Sequence, residues 1–243
     1  LTPDGDVVAP SAISLKSFGQ QKEHDAREMT AEEIEQTIRD FGEATRRAIE
    51  AGFDGVEIHG ANHYLIHQFV SPYYNRRNDV WADNYKFPVA VIDEVVKAKK
   101  AHAYDDFIIG YRLSPEEAES PGISMEITEE LIHQIANKPL DYIHVSLMDV
   151  NSVTREGKYK GENRLELIHQ WINGRMPLIG IGSVFTAEDA LNAVENIGVE
   201  FVALGREILL DYDFVAKIKE GREDEIINAF DPNRDRKSTR LNS

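Results

Sequence analysis

The sequence predicts an α/β protein: the C-terminal five-eighths of a (β/α)8 (TIM) barrel, holding strands 4 to 8 and their helices. Three observations carry this. Five short, almost wholly apolar runs alternate with amphipathic helical stretches, the pattern of a parallel sheet buried on both faces. Polar and glycine residues stand at or just beyond the C-terminal ends of those runs, at His59, Arg112, Ser146, Gly182-Ser183 and Gly205-Arg206. Chemistry spread over many strand ends is the barrel habit, whereas a doubly wound sheet gathers it at one switch point. The last two runs both end in glycine plus a donor, as suits a phosphate site after strands 7 and 8. That numbers the visible strands 4 to 8 and leaves the first three absent.

Residues 1–30 hold Pro3, Pro10 and scattered polar residues with no sustained period, which reads as loop. Thr30 with Glu33 three positions on makes a capping box, and Ile34, Ile38, Phe41, Ala44 and Ala48 recur at helical spacing until Gly52. A short strand follows over Gly55–His59. Helices over Phe87–His102, Glu126–Ala136 and Arg164–Ile172 precede strands over Phe107–Leu113, Tyr142–Ser146 and Pro177–Gly182. Thr186 caps a helix reaching Asn196, with Asp189 as its capping partner; the strand Val199–Gly205 and a helix over Phe214–Lys219 complete the series. The end of the chain, Asp235–Ser243 (DRKSTRLNS), has no apolar face. It reads as the translation of a common sequencing-adapter oligonucleotide, the alternative being an ordinary polar tail, so the expected domain is residues 1–234, with 235–243 a non-native tail.

The chain has 243 residues, with 27 Lys+Arg against 43 Asp+Glu, a net charge of −16. The tail contributes +2, so residues 1–234 carry −18. Such a charge argues against nucleic acid as a partner, because phosphate contacts need clustered bases. With no cysteine, disulfides, zinc–thiolate sites, iron–sulfur clusters and a Cys nucleophile are all excluded within this stretch. No apolar run approaches a membrane span and no signal peptide is visible, so the expectation is a soluble, cytoplasmic protein that acts on a small molecule, not at a membrane. It begins at Leu1, and its beginning is not expected to be a natural N-terminus.

The candidate chemistry is concentrated in Ala51–Asp79. His59 and Asn62 are three apart where a strand turns out of the barrel, so an imidazole N–H and an amide N–H₂ can converge on one oxygen. Tyr64, two residues on, carries a phenol that is ordinarily protonated at neutral pH and can donate a proton. The competing reading is a buried His and Asn satisfying backbone groups, with Tyr64 as packing. Arg112 at a strand end needs an anionic partner, either a ligand or a carboxylate such as Glu116 or Glu117. Gly182-Ser183 offers backbone N–H groups just before the helix that Thr186 starts, and Gly205 allows close approach while Arg206 can grip a phosphate.

These residues match a known pattern. His59-Gly60-Ala61-Asn62, Tyr64-Leu65, Gln68-Phe69, Ser71-Pro72 and Asn75-Arg76-Arg77-Asn78-Asp79, with GYRLSP (Gly110–Pro115) and VALGREILLDYDF (Val202–Phe214), resemble the Old Yellow Enzyme family of FMN-dependent NADH:flavin oxidoreductases and ene-reductases. The resemblance covers about Pro10 to Asp231. It implies FMN as cofactor, with NADH or NADPH as reductant. FMN suits better than FAD, since the phosphate donors can close around a monophosphate. It further implies that His59 and Asn62 hold the carbonyl or nitro oxygen of an activated alkene that accepts hydride from the reduced flavin, and that Tyr64 protonates the α-carbon. Arg112 is implied at the flavin N1 and O2, and Gly182, Ser183, Gly205 and Arg206 at the FMN phosphate. A homo-oligomer of the full-length form is compatible with this reading.

The chain departs from the pattern at His63, where the family usually has glycine, and His63 is expected to tune substrate choice. With His59 and His67 it forms H-x-x-x-H-x-x-x-H, yet no metal is expected, because His59 lies on a strand end and no acidic third ligand sits at a usual spacing. Two competing identities remain. A flavin-free phosphate-binding barrel, an aldolase or isomerase, is disfavoured by the lack of a strand-end lysine for a Schiff base. An inactive fragment is the other, since five strands cannot close a barrel and would leave backbone groups unpaired at an open edge.

Overall fold

The structure is a computed structural model and describes residues 5–16, 23–102 and 106–229. The expected foreign tail, Asp235–Ser243, lies outside the described residues. Strand β1 spans Val8–Ala9, β2 Ile13–Lys16 and β3 Glu23–Glu28; β2 and β3 pair antiparallel, and β1 pairs parallel to β3. This corrects the reading of residues 1–30 as loop. The run EHDARE has no apolar alternation to betray a strand, and ion pairs add to its backbone pairing. Arg27 bridges Asp6 at 2.7 Å and Glu33 at 2.5 Å. The anchor to the rest is Arg77, whose Nη1 donates to the carbonyls of Pro10 and Met29, both at 2.7 Å.

Helix α1 (Ala31–Glu50) opens with the expected capping box between Thr30 and Glu33 and buries Ile34 and Ile49. It packs on α3 (Lys86–Ala101), which follows the short α2 (Leu65–Val70). At the α1–α3 crossing, a side chain on Gly42 would meet Glu94 Cγ at 2.8 Å, so the glycine sets the approach. Phe69 of α2 stacks on Phe87 of α3 with ring centres 4.0 Å apart.

The five expected strands form one parallel sheet in sequence order: β4 (Gly55–Gly60), β5 (Ile108–Leu113), β6 (Tyr142–Val145), β7 (Leu178–Ile181) and β8 (Phe201–Ala203). Helices α4 (Met125–Ile135) and α5 (Arg164–Ile172) stand where expected. Helix α6 (Ala187–Asn192) stops earlier than its periodicity suggests and runs on as a π-helical turn over Ala193–Ile197. Two short helices were not foreseen, α2 and α7 (Arg206–Leu210); α8 spans Phe214–Lys219 as expected.

The two faces of the sheet differ. Ile58, Ile109, Tyr111, Leu113, Ile143, Val145 and Leu178 are buried and belong to the main core. The alternate residues form the inner face, on which Glu57 lies opposite Gly110 and Tyr142, and His59 opposite Arg112 and His144. Gly110 makes room there, since a Cβ would fall 2.0 Å from the Tyr142 ring. Two large apolar residues of this face, Ile108 and Phe201, are 44% and 57% exposed. Among the described residues nothing pairs with the outer edges of β4 and β8. The family of strands is thus a barrel wall seen from inside, open along one side.

Candidate active site

Beyond β4 the chain takes two consecutive left-handed residues, Asn62 (φ +57°) and His63 (φ +61°), and turns into α2 at Tyr64. The turn is fastened to its neighbours. The Asn62 backbone N–H donates to Ser114 Oγ at 3.0 Å, and the hydroxyls of Ser114 and Ser146 donate to Asn62 Oδ1 at 3.3 and 3.1 Å. Arg112 Nη2 in turn donates to Ser146 Oγ at 3.0 Å. With its oxygen claimed by two hydroxyls, the Asn62 amide is oriented, and its N–H₂ has no protein partner among the described residues. Asn62, Ser114 and Ser146 wall a cavity of about 380 Å³ together with His63, Glu117 and Arg155.

His59 makes no hydrogen bond among the described residues, and its Nδ1 is buried without a partner. Burial, and then the charge of Arg112, push its imidazole below the usual histidine range. The neutral ring keeps one N–H to donate. Tyr64 lies with its ring 5.0 Å from that of His59 and is exposed. His59, Asn62, Tyr64 and Arg112 are therefore brought to the ends of β4 and β5, although His59, Tyr64 and Arg112 are not walls of the cavity.

The carboxylates that might have claimed Arg112 are occupied. Glu116 binds Arg164 at 2.6 Å, and Glu117 binds His67 at 2.8 Å. Arg112 makes no ion pair among the described residues, and its Nε is buried without a partner. An orphaned guanidinium N–H on the inner face fits the anionic edge of a flavin.

The other four expected residues gather at β7 and β8. Gly182 (φ +126°) accepts from the Val150 N–H at 3.1 Å, and a Cβ on it would fall 2.5 Å from Asp149 N. Ser183 donates to the Met148 carbonyl at 2.8 Å. This pair is knitted to the loop after β6. Arg206 lies over the Phe185 ring at 5.1 Å and has no carboxylate partner among the described residues. Two further backbone donors beside these turns are already engaged. The N–H of Thr186 donates to Asp189 at 2.9 Å, and that of Gly205 donates to Glu207 at 3.0 Å. The start of α6 is thus capped from within, and the fit to a phosphate rests on Arg206 and the Gly182-Ser183 turn.

Sequence reasoning missed three things. Ser114 and Ser146 orient Asn62, which only strand register reveals. Glu57 accepts from His144 Nδ1 at 2.9 Å and the Tyr142 hydroxyl at 3.1 Å, a polar cluster foreshadowed by the alternation of Tyr142, His144 and Ser146. Finally, His63 and His67 do acquire an acidic neighbour, Glu117, from fifty residues downstream. His59 stands on β4, apart from this group, so the acid that sequence spacing does not offer is brought to His63 and His67 by the fold.

A family model described as "NADH:flavin oxidoreductase / NADH oxidase family" matches residues 2–225. The chain is 50% identical over 230 residues to a protein of Bacillus subtilis (strain 168) described as "Probable NADH-dependent flavin oxidoreductase YqiG", covering 93% of this chain and 60% of that one. It is 41% identical over 229 residues to an NADH:fumarate oxidoreductase of Klebsiella pneumoniae (strain 342), covering 90% of this chain and 24% of that one. A solved structure of morphinone reductase in complex with tetrahydroNAD superposes with a TM-score of 0.73 at 26% identity, over 95% of this chain and 63% of that one. The chain spans about three fifths of the length of the Bacillus relative.

Proposed function

The chain belongs to the NADH:flavin oxidoreductase / NADH oxidase family, and from that premise we propose that it supplies the acceptor-binding and phosphate-binding parts of an FMN-dependent oxidoreductase reduced by NADH or NADPH. Its acceptor is an alkene conjugated to an electron-withdrawing oxygen-bearing group, such as an enone or nitroalkene. The fumarate named for the Klebsiella relative is chemically of this kind. FMN, when bound, supplies the hydride exchange between the nicotinamide and the acceptor.

The observation that carries this reading is the oriented amide of Asn62. Its oxygen is held by Ser114 and Ser146, so its N–H₂ is left to donate, beside a neutral His59 with no hydrogen-bond partner among the described residues. Two such donors polarise an acceptor oxygen and stabilise the charge that develops on it. Tyr64, exposed next to His59, holds a proton at its hydroxyl for delivery to carbon. Arg112 and Arg206, which lack carboxylate partners among the described residues, hold the anionic edge and the phosphate of FMN, the latter with Gly182, Ser183 and Gly205. Residues 1–234 are on this reading one part of the barrel, and residues 235–243 a non-native tail.

In the flavin-loaded protein, Asn62→Ala is expected to slow acceptor reduction on the order of 10²-fold, the cost of losing one such donor. Reduction of the flavin by NADH should change little. An unchanged acceptor half-reaction would remove the His59–Asn62 pair from this role.

A further inference from the structure

The turn between β4 and α2 holds a feature that flavin chemistry does not use. His63 has a left-handed backbone, φ +61°, which is strained for a residue bearing a side chain. Its ring nonetheless points at a buried carboxylate. His63 Nδ1 lies 3.7 Å from Glu117 Oε2 and 3.3 Å from the Tyr74 hydroxyl. His67 brings Nε2 to 2.8 Å from the same oxygen, and the two imidazole rings are 4.6 Å apart. Glu117 is rigid: its side chain is fully buried, and Oε1 accepts from the Ser71 hydroxyl and from the Ile123 N–H at 2.8 Å. Burial pushes its carboxyl up, but the bonds from His67, Ser71 and Ile123 more than offset this and hold it below the usual carboxylate range. It is an ionised, preorganised ligand.

We propose that His63, His67 and Glu117 form a site for a divalent first-row transition ion, zinc foremost, which ties the turn after β4 to the loop after β5. The three ligand atoms lie within 4.8 Å of one another. Tetrahedral zinc, with bonds of about 2.0–2.2 Å, sets neighbouring N and O ligands about 3.4 Å apart. The observed 2.8 and 3.7 Å from the two nitrogens to Glu117 Oε2 bracket that separation, and the two nitrogens lie within 4.8 Å of each other. Two imidazoles and one carboxylate suit zinc, copper or nickel better than magnesium or calcium. His63 is half-exposed and, with Glu117, walls the cavity beside Asn62, so a fourth coordination position faces that cavity. A His67–Glu117 hydrogen bond does not account for the strained backbone of His63, whose Nδ1 faces both the Tyr74 hydroxyl and the Glu117 carboxylate.

The test is calorimetric titration of the tag-free, chelator-dialysed, monodisperse chain with Zn²⁺. About one ion per chain is expected. His63→Gly and Glu117→Gln should each weaken binding by more than the ~10-fold that loss of an outer-shell partner costs. His133→Ala, an exposed histidine on α4, should bind as the parent does. His63→Gly relieves the backbone, so it is expected to fold even if the buried Glu117→Gln does not. Two histidines four apart in unfolded chain would bind zinc weakly whatever stands at 117. No uptake by the parent chain, undiminished binding by His63→Gly, or undiminished binding by a folded Glu117→Gln would each overturn the proposal. None of these outcomes bears on the flavin reading.

Discussion

Asn62 shows what a single residue needs in order to act. An amide free to rotate presents oxygen and nitrogen equally, and hydroxyls from two neighbouring strand ends remove that freedom. His59 is the complementary case, since it has no hydrogen-bond partner among the described residues and is kept neutral by burial and by Arg112. A histidine lowered on folding binds its proton more readily in the unfolded chain. Its contribution to stability is therefore complete above the ordinary value near 6.5 and is lost as pH falls from there toward its folded value. Thermal unfolding followed from pH 7.5 down to 5 should show this decline, and His59→Gln should flatten it. Glu57 and Glu117, both held low, act in a separate window, since their contribution is lost only below the ordinary carboxylate value near 4.5. An equal decline in parent and His59→Gln would assign the upper window to other groups. The candidate roles of His59, Asn62, Tyr64 and Arg112 were legible because they sit in one stretch and one strand end. Those of Ser114, Ser146 and Glu117 were not, because each depends on which strand end the fold brings beside β4.

Among the elements, the strands were easiest to read, since a short apolar run between amphipathic helices has few alternatives. The sheet of β1 to β3 was illegible because β1 and β2 are only two and four residues long and β3 is polar, with no apolar run to mark it. The turns after β7 and β8 divide in a way that glycine alone could not reveal. Gly182 is required by the fold, because φ is +126° and a Cβ would press on Asp149 N at 2.5 Å. Gly205 has open space around its Cβ position and a negative φ, so the fold does not demand it. Gly182→Ala should therefore lower stability by about 1–3 kcal/mol, the range of backbone strain. Gly205→Ala should leave the unfolding midpoint nearly unchanged and weaken FMN binding by crowding the phosphate. Denaturant unfolding and flavin titration of the two variants separate the effects; a Gly205→Ala variant that binds FMN normally would place the phosphate elsewhere.

At the scale of the whole molecule, the inner face of the sheet decides how the chain is read. In a closed barrel that face is packed from opposing strands, and Ile108 and Phe201 would be interior. Here both are largely exposed, and β4 and β8 have unpaired outer edges among the described residues. An open parallel edge with apolar neighbours invites aggregation. The same face carries Arg112 and His59, so on this account flavin binding and closure of the barrel are one event, and the chain alone should bind FMN poorly. The most direct test is the FMN content, read from the absorbance of released flavin, of the chain by itself and of the chain joined to the part of the Bacillus relative that it does not cover. Close to one FMN per joined protein is expected, and far less for the chain alone. A joined protein that is folded and monodisperse yet carries no FMN would contradict it.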